Sequence, residues 1–143
     1  MSGVRPTTAL LVSGFGLALA ACAGSGAREA REARINVYPD NYKTDLAGAV
    51  HAYVADPTGI RDAYVSEPAI RAIGQQNRYR ACLRFNAKNS DGRYAGNKDL
   101  VAVFVSGRFD QFLEQPPSLV AEVREGCKQA EYQRFPEIEA LKP

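Results

Sequence analysis

Nine consecutive residues set the tightest limit on what this chain can fold into. From Arg78 to Asn86, Tyr79, Ala81, Leu83 and Phe85 alternate with Arg78, Arg80, Cys82 and Arg84. Successive side chains of a β-strand point to opposite faces. The stretch therefore predicts a strand with one apolar face and one basic face. Leu100 to Val105 is a continuous apolar run, which suits a central strand covered on both faces. Ser106-Gly107 then supplies a two-residue turn, and Arg108 to Glu114 is its hairpin partner.

Helical periodicity brackets this sheet. Leu46, Val50, Tyr53 and Val54 share one helix face behind a capping Thr44, and Asp56-Pro57 ends that helix. Ile60 to Ile73 reads as an edge strand broken near Pro68, and Gly74 to Asn77 as a turn. Asn86 to Asp99 is a long polar loop. After Pro116-Pro117-Ser118, the residues Leu119, Val123, Cys127 and Ala130 make an apolar stripe on a second helix, which Gly126 weakens by about 1 kcal/mol relative to alanine. Pro136 to Leu141 suffices for one last turn. The expected fold class is α+β: an N-terminal helix, an antiparallel meander of about four strands, and a C-terminal helix on one face of the sheet.

The start of the chain has a different character. One Arg and no acid precede Ala9–Leu19, an apolar stretch of 11 residues. That is too short to span a bilayer but long enough for the core of a secretory leader. Leu19-Ala20-Ala21-Cys22 follows, and it resembles the lipobox of bacterial lipoproteins: a leucine, two small residues that a protease can grip in extended form, and a cysteine whose sulfur accepts diacylglycerol. The resemblance implies a signal peptide over residues 1–21 and acyl chains, palmitate among them, on Cys22. It implies a membrane anchor through those chains, since two or more of them hold stably. Ala23 stands where an Asp often retains lipoproteins in the inner membrane, which favours the outer membrane with the body facing the periplasm. Residues 22–34 then make the lipidated Cys and a flexible tether: there is no apolar stripe, and Arg28, Arg31 and Arg34 recur at i,i+3. Residues 35–143 form a single domain. The segment RYRACLRFNAKNSDGRYAGNKDLVAVFVSGRFDQF is similar to small bacterial envelope lipoproteins. A strand Cys and a later helix Cys flanking a hairpin also resemble the carboxyl-terminal domain of the envelope protein TolA, a likeness of fold that carries no activity.

An oxidising periplasm sets the expectation for the other cysteines. A disulfide between Cys82 and Cys127 closes a loop of about 45 residues and stabilises by roughly 4 kcal/mol on the chain-entropy account. Two buried thiols are the alternative. Pairing demands that the last helix cross the arginine-bearing face and that the first helix cover Tyr79, Leu83 and Phe85.

No catalytic, metal or cofactor constellation emerges. The only histidine, His51, flanks a helix stripe, so neither a Ser-His-Asp set nor a two-His zinc site can be assembled, although Asp45 is near in sequence. Asn89, Asp91 and Gly92 imitate the middle of a calcium loop, but Ala87 and Lys98 occupy its first and twelfth positions. Tyr38, Tyr42, Tyr53 and Tyr64 either line a groove or belong to the core. Without Met1–Ala21 the chain keeps 17 Lys and Arg against 16 Asp and Glu, too balanced for a nucleic-acid binder. Arg78, Arg80 and Arg84 form a row that is either a partner contact or a face paired with acids across strands. The expectation is a non-enzymatic, lipid-anchored envelope module with an envelope-protein or cell-wall partner. The rival is a periplasmic enzyme inhibitor, presenting the Asn86–Asp99 loop, or a hydrolase.

Overall fold

The computed structural model describes Gly3 and residues 21–143. The fold is α+β: helices packed on a six-stranded antiparallel sheet. Most of the expected leader, including Leu19 and Ala20 of the lipobox, lies outside the described residues. Ala21 and Cys22 are described only as helical backbone.

Helix α1 spans Ala21–Ile35. The expectation of a flexible tether is corrected here. Alanine, arginine and glutamate are strong helix formers, and their summed propensity outweighs the missing apolar stripe. Residues 24–31 stay exposed, and the last turn of α1 meets the body. There Glu32 meets Arg78 at 3.3 Å and the carbonyl of Ile35 accepts a 2.7 Å bond from the Ser106 amide.

Helix α2 spans Tyr42–Tyr53, and it begins ahead of Thr44 with Asn41 in the capping position. Leu46 and Val50 are fully buried. Strand β1 (Asp56–Ser66) and strand β2 (Ala69–Ile73) flank the same side of the long strand β3 (Gln76–Lys88), interrupted by Glu67 and Pro68. Strand β4 (Lys98–Val105) pairs with β3 on its other side, and β5 (Arg108–Phe112) returns as a hairpin. Ser106 and Gly107 both have positive φ, 52° and 76°, as a tight primed turn between twisted strands requires. Helix α3 spans Pro117–Cys127, β6 Tyr132–Arg134 and the short α4 Pro136–Glu139.

The sheet order is β5-β4-β3-β1-β6, with β2 beside the other end of β3. Two expectations change. The sheet has six strands, not about four, and β6 closes back onto β1 instead of continuing a meander. The first half of the expected edge strand is consequently internal, with Tyr64–Ser66 held between Leu83–Arg84 of β3 and Tyr132–Arg134 of β6. Its second half, β2, keeps an edge position.

Both faces of the sheet are covered, by different sets of residues. On one face Leu83, Phe85, Leu100 and Phe104 pack with Leu46 and Val50 of α2 and with Phe135 and Ile138 at α4, and Tyr79 packs against this core. On the other, Cys82, Val101, Val103 and Leu113 pack with Val120, Val123 and Cys127 of α3. The continuous run in β4 is thus divided between two cores, as a strand covered on both faces requires.

Candidate functional site

Cys82 and Cys127 are joined, with their Cα atoms 5.8 Å apart. Cys82 stands on the arginine face of β3, so the bond holds the C-terminal end of α3 across that face. This placement decides what the three arginines do.

Arg84 lies beyond the reach of α3 and is exposed. Its Nε donates to Asp99 Oδ1 at 2.7 Å and an Nη to Oδ2 at 3.3 Å, with Asp99 directly opposite in β4. The carboxylate raises the Arg84 pKa through these bonds. Arg78 pairs with Glu32 of α1, and its other donors reach Gln76 and the carbonyl of Asn77. Arg80 differs. It is half-buried under α3, where Nη1 approaches the carbonyl of Val123 at 3.5 Å. Among the described residues no carboxylate lies within ion-pair distance of it. Burial lowers its pKa, and the charge of Arg71 lowers it further.

The row expected as one surface is therefore divided. Two arginines are neutralised within the chain, Arg84 by an acid across strands, as the cross-strand alternative expected, and Arg78 by a helix acid instead, and the third is left beside Arg71 in a cleft of about 460 Å³. The cleft lies between β2, β3 and the end of α3, with Ser66, Ala69 and Cys82 among its lining residues. Ser66 is buried and its Oγ accepts from the Cys82 amide at 2.9 Å, which ties the floor to the β1–β2 corner. Glu67 lines one lip, but its Oε1 accepts from Tyr38. Glu131 is the other acid of the lining. Sequence reasoning missed Arg71. It sits in the segment broken by Pro68, and only the pairing of Ala69 with Arg80 and of Arg71 with Arg78 places it on the arginine face.

The cleft adjoins the edge of β2. Ile70 of that strand is 41% exposed. At the opposite edge of the sheet, β5 is blunted: Asp45 Oδ2 takes the Phe109 amide at 3.3 Å and the Arg108 side chain at 3.1 Å. On β2 the Ile70 carbonyl accepts from the Arg71 side chain at 2.9 Å, an exposed contact.

The remaining candidates are placed as follows. His51 is exposed and its Nε2 lies 3.1 Å from the carbonyl oxygen of Lys142, while Asp45 is engaged at β5. In the polar loop, Asn89 Oδ1 accepts from the amides of Asp91 and Arg93, and Tyr94 donates to the carbonyl of Gly59 at 2.7 Å. Among the described residues there is no group of three His, Cys, Asp or Glu placed to hold a metal. Nor, among them, is any helix long and apolar enough to cross a membrane. The four tyrosines are half-buried, and their hydroxyls pair with Glu67, Gln133, Glu114 and Arg134, which anchors them to the body.

Comparison with protein-family models, with curated proteins and with solved structures gives no match.

Proposed function

We propose that the chain is a lipid-anchored protein of the cell envelope, held in the outer membrane by acyl chains on Cys22 and facing the periplasm. It acts there as a non-catalytic binding module for an extended segment of an envelope protein. The observation that carries the binding reading is the edge of β2 lying against a cleft with Arg71 and Arg80. An exposed strand edge offers a row of backbone donors and acceptors to a further strand, and the side-chain pockets beside it select the sequence that joins. Strand addition at β2 covers Ile70 and brings acidic side chains of the partner to two guanidiniums. A disulfide between Cys82 and Cys127 suits an oxidising compartment, and the lipobox supports the anchor.

α1 changes how the anchor serves the module. From Cys22 to the docked turn at Glu32–Ile35 the helix spans roughly 15–20 Å. It makes a stand-off of set length between Cys22 and the sheet, fixed to the body at Glu32 and Ile35.

A photo-crosslinking residue placed at Ile70 in cells tests the binding site, with the captured band mapped by mass spectrometry. Capture of an envelope protein that Arg71→Glu abolishes supports the reading. Equal capture from Ile70 and from Asp110 on the opposite edge overturns it. Palmitate labelling that Cys22→Ser removes tests the anchor separately.

A further inference from the structure

We infer that the polar loop after β3 builds a small-molecule site for an amphipathic carboxylate, whose apolar body enters a hollow beside Phe85 and Ala87 and whose head group meets Lys98. The site lies at the end of β3 away from β2. β2 pairs with residues 76–80, whereas the hollow is built around Phe85, Ala87 and Lys88. It does not depend on strand addition.

The hollow measures about 460 Å³, within the range of roughly 300–1,000 Å³ for small-molecule sites. Val54 after α2, Phe85 and Ala87 of β3 and Ala95 of the loop give it an apolar wall. Its charged lining residues are Lys88 and Lys98, with no carboxylate among the described residues that line it. The arginine cleft differs in this respect, since Glu67 and Glu131 already stand among its cations.

The two lysines are not equivalent. Lys88 Nζ lies 3.8 Å from Asp56 Oδ2, which partly neutralises it. Among the described residues no carboxylate lies within ion-pair distance of Lys98. Its Nζ donates to the Tyr53 hydroxyl at 2.6 Å, and that hydroxyl donates in turn to Glu114 at 2.7 Å. The ammonium also stands 4.5 Å from the centre of the Tyr53 ring. These contacts steady it beside the hollow and leave further N–H donors for a ligand. An anion beside an apolar wall therefore satisfies both halves of the site.

The loop is already shaped for this. Asn86 is buried, and its Oδ1 accepts from the Gly96 amide at 3.1 Å. The Ala95 amide reaches the carbonyl of Ala87 at 3.5 Å, and Tyr94 is tied to the carbonyl of Gly59. A ligand meets a wall in place, with little ordering cost to offset.

The test uses the full chain in lipid nanodiscs, with octanoate, octanol, octylamine and acetate as probes. Amide shifts of residues 85–98 report binding to the protein, and titration gives the affinities. Octanoate should shift Ala87, Ala95 and Gly96 saturably and bind at least about tenfold more tightly than octanol or octylamine. Acetate should give no saturable shift. Lys98→Met should reduce octanoate to the level of octanol and leave octanol as it was. Ala95→Asp, at an exposed loop position, should reverse the preference toward octylamine. Arg93→Met, which removes a loop cation outside the lining, should leave octanoate binding as it is. Equal affinity for octanoate, octanol and octylamine, or a preference for octanoate that survives Lys98→Met, overturns the assignment of the head group to Lys98. Absence of saturable shifts in residues 85–98 with every probe overturns the site itself.

Discussion

The Arg80 guanidinium occupies the space that a side chain at Gly126 would fill: Nη2 lies 2.6 Å from where a Cβ at Gly126 would stand. A glycine one residue before the end of α3 is unfavourable for the helix on its own terms. It leaves room for Arg80 where the disulfide at the next residue holds this turn onto the arginine face. The positive side chain then lies near the carbonyl end of α3, where a cation is favoured.

That contact fixes the sign of a substitution. Replacing a helical glycine by alanine ordinarily gains about 1 kcal/mol. In the native chain Gly126→Ala should gain little or lose, since the new methyl group displaces Arg80. In an Arg80→Ala background the same change should stabilise by about 1 kcal/mol. Urea denaturation of the four proteins of this cycle measures the difference, and strictly additive values would show that the contact has no energetic weight.

The disulfide holds α3 against a small core of its own. Cys82→Ala combined with Cys127→Ala should cost about 4 kcal/mol if the bond acts by restricting the unfolded chain, with less lost if that chain keeps residual structure. Denaturation midpoints with and without reductant check this. Non-reducing peptide mapping should recover the two cysteines in one cross-linked fragment.

The other core should respond to changes in α2. Leu46 is completely buried among residues of the sheet and of the α4 region, so Leu46→Ala should destabilise by about 2–5 kcal/mol, the range for a leucine truncated in a packed interior. Leu119, half-buried at the rim of the α3 core, should cost clearly less when truncated. Equal losses at the two positions would contradict the division into two cores of this form.

Tyr38 contributes to the alkaline limit. Burial, and then the hydrogen bond to Glu67, push its hydroxyl up to about 12. The protonated form is the one the fold favours, so its contribution is complete below the ordinary tyrosine value of 10.0 and is lost as pH rises from there through about 12. Ultraviolet titration should show tyrosines ionising late, Tyr42 and Tyr132 being raised by burial as well, and Tyr38→Phe should remove the step near 12. It should also flatten the fall in stability between pH 10 and 12.

The sequence by itself determined the elements that carry an uninterrupted period. Alternation fixed β3, an unbroken apolar run fixed β4 as covered on both faces, and Ser106-Gly107 fixed the hairpin, because each signal is set by backbone geometry within a few residues. The two helices that pack on the sheet were legible for the same reason. So was the demand that the last helix cross the arginine face if Cys82 and Cys127 pair, since a strand residue's face follows from its parity. Tertiary structure decided the rest. β6 has only three residues, Tyr132–Arg134, too few to show a period, and it forms because β1 offers it an edge. α1 is helical without an apolar stripe, and its docking depends on Arg78 and Ser106, which are distant in sequence. The fate of the arginines was also set at this level. Three residues equivalent by alternation became an ion pair with Asp99, an ion pair with Glu32 and a half-buried cation beside Arg71. Periodicity assigns a side chain to a face, but what covers that face depends on contacts between segments far apart in the chain.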